Sequence, residues 1–167
     1  MTKIVPIAIS ILRCGERYLF LQRRNPPYEN LWSMVGGKVG QGEHIRSATI
    51  REVMEETGAP KIYNYRYRGL VSERLIEPNG SLKAHFLIFV SYAEIPSFRE
   101  NHREGNLALF SENDIISLED QFLPSDYQMF KCFNNQESIH STYEAELLHD
   151  GKGYHLIYYR TASNETR

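Results

Sequence analysis

The sequence predicts one domain of the α/β (α+β) class, in which helices cover a mixed β-sheet. The chain has 167 residues, which is the length of one ordinary domain. Apolar stretches of strand length are interspersed with segments of helix length, and turn residues join several of these stretches as hairpins. The sequence contains no internal repeat and no Gly/Ser linker. Together these observations favour a single sheet with helices packed against it.

The predicted elements follow one another in a definite order. Strands are predicted at residues 4–12, 17–22, 62–77, 82–93 and 107–110. Helices are predicted at residues 44–57, 112–118 and 125–134. The first helix ends before Gly58 and Pro60, which are typical of a helix C-terminus. Gly36 and Gly37 are interpreted as punctuation between elements.

A C-terminal hairpin extension is predicted at about residues 141–160, with arms at 143–148 and 154–159 around a turn at 150–153. The second arm is apolar on both faces, which suits a strand covered on both sides. An isolated hairpin is marginal in water, so we expect it to dock. It docks either within the chain, on an edge of the sheet, or on a second copy to give a homodimer. We expect one domain spanning residues 1–167.

Composition excludes several classes of protein. The net charge is −2, from 19 basic and 21 acidic residues, whereas nucleic-acid binders usually carry a basic excess, so we expect no stable nucleic-acid complex. No apolar run approaches 18 residues, so we expect no membrane partner. Cys14 and Cys132 cannot form a disulfide framework or a four-ligand zinc site. With no leader pattern at the start, the expected location is cytoplasmic.

The segment 37–59 is the most informative part of the chain. On a helix, Glu52, Glu55 and Glu56 share one face, which is expected to be exposed. The opposite face is expected to be buried and carries Ile50, Val53, Met54 and Thr57. Two charges 6 Å apart repel by about 3 kcal/mol at an effective dielectric constant near 20. Such a cluster is either a solvated acidic surface or a site for a divalent cation such as Mg²⁺.

This segment resembles the Nudix box, G-x5-E-x7-R-E-U-x-E-E-x-G-U, where U is a bulky aliphatic residue. The matching residues are Gly37, Glu43, Arg51, Glu52, Val53, Glu55, Glu56 and Gly58. Ala59 departs from the pattern, because the last U is bulky. The preceding residues 31–38 resemble the usual W-x-x-P-G-G-K entry, with Val35 where proline is common. The resemblance covers roughly residues 4–117.

The resemblance implies an α/β/α sandwich with a mixed sheet. It also implies Mg²⁺-dependent hydrolysis, with Mn²⁺ as an alternative, of a pyrophosphate bond in a nucleoside diphosphate linked to another group. The first choice of substrate is a (deoxy)nucleoside triphosphate or an oxidised nucleotide, as in MutT-like members. The alternatives are ADP-ribose, a diadenosine polyphosphate, or a module that senses a nucleotide without turnover.

The resemblance also assigns roles to individual residues. The implied metal ligands are the carbonyls of Gly36 and Gly37 and the carboxylates of Glu52, Glu55, Glu56 and Glu104. The catalytic group comprises Glu43, Arg51, Glu52 and Glu55, with Arg51 orienting Glu43 or Glu55 through a bidentate pair. Glu52 is the first choice as general base and Glu104 its competitor, with Glu100 close enough to replace Glu104. From their position after the second strand, Arg23 and Arg24 are candidates to hold a substrate phosphate or are simply solvated.

Overall fold

The structure is a computed structural model that describes residues 2–99, 101–102, 105–135 and 141–162. The strands are β1 (Ile4–Cys14), β2 (Arg17–Arg23), β3 (Trp32–Lys38), β4 (Tyr63–Ile76), β5 (Leu82–Ile95), β6 (Asn101–His102), β7 (Gly105–Phe110), β8 (Ser141–His149) and β9 (Tyr154–Thr161). The helices are α1 (Ile45–Thr57), α2 (Glu112–Ser117) and α3 (Pro124–Phe133), with a 3₁₀ turn at Glu119–Gln121. None of the described helices is long and apolar enough to cross a membrane.

The strands form one mixed sheet. Over the described residues its order is β6-β7-β2-β3-β1-β5-β4-β8-β9. The pairs β1–β5 and β4–β8 are parallel, and the remaining pairs are antiparallel. The predicted hairpins β1–β2, β4–β5 and β8–β9 are all present.

Both faces of the sheet are covered, because side chains alternate along each strand. On β1, Ile11 packs in a cluster with residues of α2 and α3, such as Ile115 and Phe130. Leu12 faces the other way and packs in a second cluster with Val53 of α1. These two layers confirm the predicted α/β/α sandwich with a mixed sheet.

Strand β3 is not among the predicted elements, because the glycine pair Gly36 and Gly37 is typical of a break between elements. In the structure they pair with Ile9 and Ala8 of β1. A Cβ at Gly36 would collide with the Ala8 carbonyl oxygen. Glycine is therefore needed here for a close approach between strands rather than for a turn.

Helix α1 agrees with its predicted limits, and Gly58 caps its C-terminus in the left-handed conformation. The predicted buried and exposed faces are only partly right. Met54 is 42% exposed, whereas Glu56 is only 4% exposed. The helix packs against the sheet through Thr49, Val53 and Thr57, so that Glu56 turns towards β3.

The C-terminal hairpin docks within the chain. Strand β8 pairs with β4 from Ser141 to Leu148, and β9 continues the sheet. The expectation that the second arm is covered on both faces is wrong, because Ile157 is 51% exposed on this outer strand. Strand β9 has a partner on one side only among the described residues, and a homodimer through this edge stays a prediction.

Candidate functional site

Arg51 on α1 organises the acidic residues of the motif. Its Nε and Nη2 donate to the two oxygens of Glu43 at 2.8 and 2.9 Å. Its Nη1 donates to Glu52 at 2.7 Å and to Glu55 at 3.2 Å, and Nη2 also donates to the Lys38 carbonyl at 3.0 Å. A guanidinium has five N–H donors, and these five bonds use all of them. We call Arg51 with Glu43, Glu52 and Glu55 the Arg51 cluster.

The Arg51 cluster is charge-compensated. Hydrogen bonding from Arg51, helped by the Gly40 amide, lowers the pKa of Glu43 to about 2. Hydrogen bonding to Glu43 and Glu52 raises the pKa of Arg51 above its already high value. The bidentate pair with Glu43 ties the 38–44 loop to α1, because Glu43 also accepts from the Gly40 amide at 2.8 Å.

Two glutamates of α1 lie against the two glycines of β3. The carboxyl group of Glu52 fills the space that a Cβ at Gly37 would occupy. The Gly36 amide donates to Glu56 Oε2 at 3.2 Å. The glycine pair therefore lets α1 bring both carboxyl groups directly onto the backbone of β3.

These groups line a cavity of about 450 Å³. Glu52, Glu56 and residues 36–38 contribute charged and polar surface. Apolar walls come from β1 and β5 through Ile7, Ile9, Phe86 and Ile88. A largely apolar cavity of this size with a few polar groups is typical of a small-molecule site.

The donor set is of the kind that binds a divalent cation. Within the described residues, no three His, Cys, Asp or Glu side chains lie close enough together to hold a metal ion by themselves. Mg²⁺ does not require such a set, because it is usually bound by one or two carboxylates and takes its other oxygen ligands from water and substrate phosphates. Glu52 and Glu56, beside the backbone of Gly36 and Gly37, supply two carboxylates at the cavity wall.

The other predicted residues lie in different surroundings. Glu55 is 59% exposed on its side chain and is not part of the cavity wall. Arg23 lines the cavity and donates through Nε to the Pro27 carbonyl at 2.9 Å. Arg24 is exposed and donates to Asn106 at 3.4 Å. Glu100 and Glu104 lie outside the described residues, so the choice between Glu52 and Glu104 as general base stays a prediction.

Sequence reasoning missed a second acidic group in the same cavity, formed by Glu73 of β4 and Asp126 of α3. We call these two residues the acid pair. Glu73 is 2% exposed and Asp126 is 6% exposed. The Tyr28 hydroxyl donates to Glu73 Oε1 at 2.8 Å, and the Met34 amide donates to Asp126 Oδ2 at 2.7 Å.

Burial dominates the electrostatics of the acid pair. It raises the pKa of Glu73, against hydrogen bonding to that carboxyl group. It raises the pKa of Asp126 to about 7, with repulsion from Glu73 as the second cause, while the Met34 amide and Arg23 act in the opposite direction.

Only one of these acids left a signal in the sequence. Glu73 stands between Val71 and Leu75 at period two, which places a carboxyl group on the buried face of β4. Asp126 stands in the first turn of α3, where an acidic residue is common for helix stability alone.

Comparison with known proteins shows which family this chain resembles in sequence. The NUDIX domain family matches residues 3–133. The uncharacterized Nudix hydrolase YvcI of Bacillus subtilis (strain 168) is 28% identical over 155 residues, which are 89% of this chain and 94% of that protein. An RNA pyrophosphohydrolase of Campylobacter jejuni is 21% identical over 128 residues, which are 71% of this chain and 78% of that protein.

A solved structure of a related protein has a similar fold. The MutT protein from Bacillus halodurans has a TM-score of 0.73 with 22% identity, over 95% of this chain and 97% of that one. This likeness covers nearly the whole chain, including the C-terminal hairpin region. At such low identity it shows the shared fold alone.

Proposed function

Because the chain belongs to the NUDIX family of hydrolases, we propose the following reaction for it. It is an Mg²⁺-dependent pyrophosphohydrolase that cleaves a pyrophosphate bond in a nucleoside diphosphate linked to another group. The substrate is a (deoxy)nucleoside triphosphate or an oxidised form of one. The products are the mononucleotide and pyrophosphate.

One observation carries this proposal. Glu52 and Glu56, two acidic residues of the family motif, share a cavity of about 450 Å³ with apolar walls. Carboxylates at one wall suit a metal-bound phosphate chain, and the apolar walls suit a nucleobase. A solvated acidic surface does not explain a glutamate that is 4% exposed against a backbone amide.

The chain's own residues have distinct tasks in this reaction. Glu52 and Glu56 would hold Mg²⁺, which neutralises phosphate charge and activates water when it is bound. Glu52 accepts the proton of the attacking water as the oxygen–phosphorus bond forms and the anhydride bond breaks. Arg51 fixes the orientation of Glu52 through their 2.7 Å bond. Glu55 and Glu104 complete the proposed ligand set, and Arg23 binds a phosphate oxygen.

The test is a panel of nucleotides incubated with the full chain and Mg²⁺, with the products separated chromatographically. The panel contains the common nucleoside triphosphates, an oxidised guanine nucleotide, ADP-ribose and a diadenosine polyphosphate. We expect mononucleotide and pyrophosphate from a triphosphate, and no reaction with a chelator present. Release of inorganic phosphate alone would contradict the proposal, because the wrong bond would have been cleaved.

A second candidate follows from the C. jejuni relative, which is called an RNA pyrophosphohydrolase. The 5′ end of such an RNA carries the same phosphate chain as a nucleoside triphosphate. A short 5′-triphosphorylated oligonucleotide belongs in the panel for this reason. If it is cleaved faster than the free triphosphates, the substrate is the RNA end. Binding of nucleotides without any turnover would identify a sensing module.

A further inference from the structure

The helices cover the two faces of the sheet unequally. Helix α1 packs on β3 and β1. Among the described residues, the core cluster beneath α1 contains no residue of β4, β8 or β9. The side of the sheet that carries α1 is therefore left open where β5, β4, β8 and β9 lie next to the start of β1. We call this part of the sheet surface, with the outward side chains described next, the open face.

The middle of the open face is apolar. Leu12 of β1 faces α1, so the other even-numbered residues of β1 lie on the same side of the sheet. Leu87 and Phe89 of β5 are in register with these residues, and Leu70 of β4 pairs with Phe89. All three side chains are partly exposed, and none of them belongs to a core cluster of the described residues. Ile4, in the same side-chain series of β1, is 56% exposed. Such adjoining apolar side chains mark an interaction surface more often than scattered ones do.

The margin of the open face on β4, β8 and β9 carries charges that cancel. Arg74 of β4 forms an ion pair with Glu146 of β8 at 3.4 Å. Arg160 of β9 forms an ion pair with Glu144 of β8 at 3.1 Å. Because two arginines face two glutamates, these four residues leave no surplus charge on the margin. A nucleic acid or a strongly charged peptide is therefore not attracted to it.

A second copy of the chain has the chemistry and the area that this surface needs. Interfaces between proteins have an apolar centre and a polar margin, and a two-fold pair joins the same surface of both copies. The balanced charges make the open face compatible with itself. Its five strands lie about 4.8 Å apart, and about four rows of side chains follow at roughly 6.8 Å, so its flat area is roughly 600 Å². Side chains add to this flat area, and each partner of a standard interface buries about 800 Å² of accessible surface.

The outer edge of β9 is less suited to join two copies. Its pairing with β8 passes from Tyr158 opposite Glu146 to Leu156 opposite Leu147, which leaves Ile157 as a bulge. A bulge in an edge strand interrupts the hydrogen-bonding pattern and hinders pairing with another edge. The open face is therefore the better candidate for a contact between copies.

We propose that the chain forms a homodimer in which the open faces of two copies pack together, with Leu87 and Phe89 at the centre of the contact. The cavity that holds Glu52 and Glu56 stays accessible, because Phe86 and Ile88, which line it, point to the other side of β5. The inference does not rest on the proposed hydrolysis.

The experiment measures the mass of the full chain by light scattering after size exclusion, over a range of concentrations. We expect the parent to have twice the mass of one chain. Leu87→Lys places a charge at the centre of the contact, so its dimer dissociation constant should rise by about a hundredfold or more. Circular dichroism and thermal unfolding show whether the variant is folded. A monomeric parent, or a folded Leu87→Lys variant that dimerises like the parent, would overturn the proposal.

A second variant leaves the apolar residues unchanged. The side chain of Arg160 is 60% exposed, so Arg160→Glu should not disturb the core. It gives the margin a surplus of negative charge, which makes two copies repel each other. We expect the dimer to weaken by about tenfold at low salt and to recover as salt is added. Parental affinity of this variant at low salt would contradict the proposed contact.

Two matched controls place the same lysine at exposed apolar positions outside the proposed contact. Ile116 on α2 is 61% exposed, and Ile157 on β9 is 51% exposed. Both Ile116→Lys and Ile157→Lys should remain dimeric. Dissociation by Ile157→Lys while Leu87→Lys stays dimeric would assign the contact to the β9 edge. Dissociation by either control as strong as that by Leu87→Lys would also refute the assignment to the open face.

Discussion

The chain carries two acidic groups that reach one cavity, the first through Glu52 and Glu56 and the second through Glu73 and Asp126, and they are built in opposite ways. The Arg51 cluster and Glu56 lie on or next to one helix, and all five N–H groups of Arg51 are bonded to acceptors there. The acid pair comes from β4 and α3, and neither acid forms an ion pair within the described residues. The first group is stabilised by opposite charge, whereas the second is destabilised by burial and repulsion.

This difference separates the tasks that the two groups can perform. A neighbouring positive charge favours the ionised form of a carboxyl group, and a carboxyl group must be ionised to bind a metal ion well. Burial raises the pKa of both Glu73 and Asp126, that of Asp126 to about 7, and so shifts both groups towards the protonated form. One cavity therefore combines carboxylates beside the backbone of β3 with carboxyl groups that burial shifts towards the protonated form.

The largest expected effect is on turnover, when Glu52 or Glu56 is replaced. Glu52→Gln or Glu56→Gln should lower kcat by several orders of magnitude, since each removes a charge proposed to bind Mg²⁺. The melting temperature without metal should fall slightly for Glu52→Gln, because the charge-assisted bond between Glu52 and Arg51 is weakened. Steady-state kinetics at saturating Mg²⁺ and thermal unfolding check both statements.

The matched control is Glu16→Gln, which removes an exposed charge in the β1–β2 turn. It should leave kcat at the parental value. If Glu52→Gln and Glu56→Gln both turn over substrate at the parental rate, these residues do not bind the catalytic metal ion.

A smaller loss is expected for Arg51→Lys. Lysine keeps the positive charge but offers only three donors from a single nitrogen, so it cannot hold Glu43, Glu52 and Lys38 together. We expect kcat/KM to fall by about 10²-fold, the scale of misplaced catalytic groups, with a modest fall in Tm. If Arg51→Lys is as active as the parent, charge alone compensates the cluster and the geometry of the guanidinium is not needed.

The two groups also differ in how far the sequence could predict them. The residues of the Arg51 cluster lie within thirteen positions, from Glu43 to Glu55. Helix spacing brings Arg51 and Glu55 together, and the resemblance to the motif implied the pair of Arg51 with Glu43. Glu73 and Asp126 are far apart in the chain and meet only through the sheet and α3. The hairpins and the helix cover of a mixed sheet followed from the order of the predicted elements and their turn residues. Strand β3 is missing from the prediction because glycine signals a turn more often than a close approach.

The third prediction tests the charge state of the acid pair. The pKa of Asp126 is about 7 in the folded protein, against an ordinary value of 3.8. The native state therefore binds more protons than the unfolded state between these values, and the free energy of unfolding should fall as pH rises from about 4 to about 7. The loss due to this group is on the order of a few kcal/mol.

Asp126→Asn removes this titration, so its stability should decline less over the same interval. Chemical denaturation of the parent and the variant at several pH values gives the two slopes. Asp120→Asn, an exposed change in the nearby 3₁₀ turn, is the matched control for loss of one carboxyl group. Parallel slopes for the parent and Asp126→Asn would mean that burial does not raise the pKa of Asp126.

The smallest expected effect is at Tyr154 of the C-terminal hairpin, which packs on Tyr28, the residue that donates to Glu73. Tyr154→Phe keeps the ring that packs on Tyr28 and loses only the bond to Glu29, so stability should change by about 1 kcal/mol or less. Tyr154→Ala also loses the ring contact, which is worth about 0.5–1.5 kcal/mol beyond its buried area. Because Tyr28 then holds Glu73 less firmly, KM should rise a few-fold while kcat stays near the parental value. A fall in kcat with constant KM would instead show that the hairpin acts on the Arg51 cluster, and the two acidic groups would not be independent.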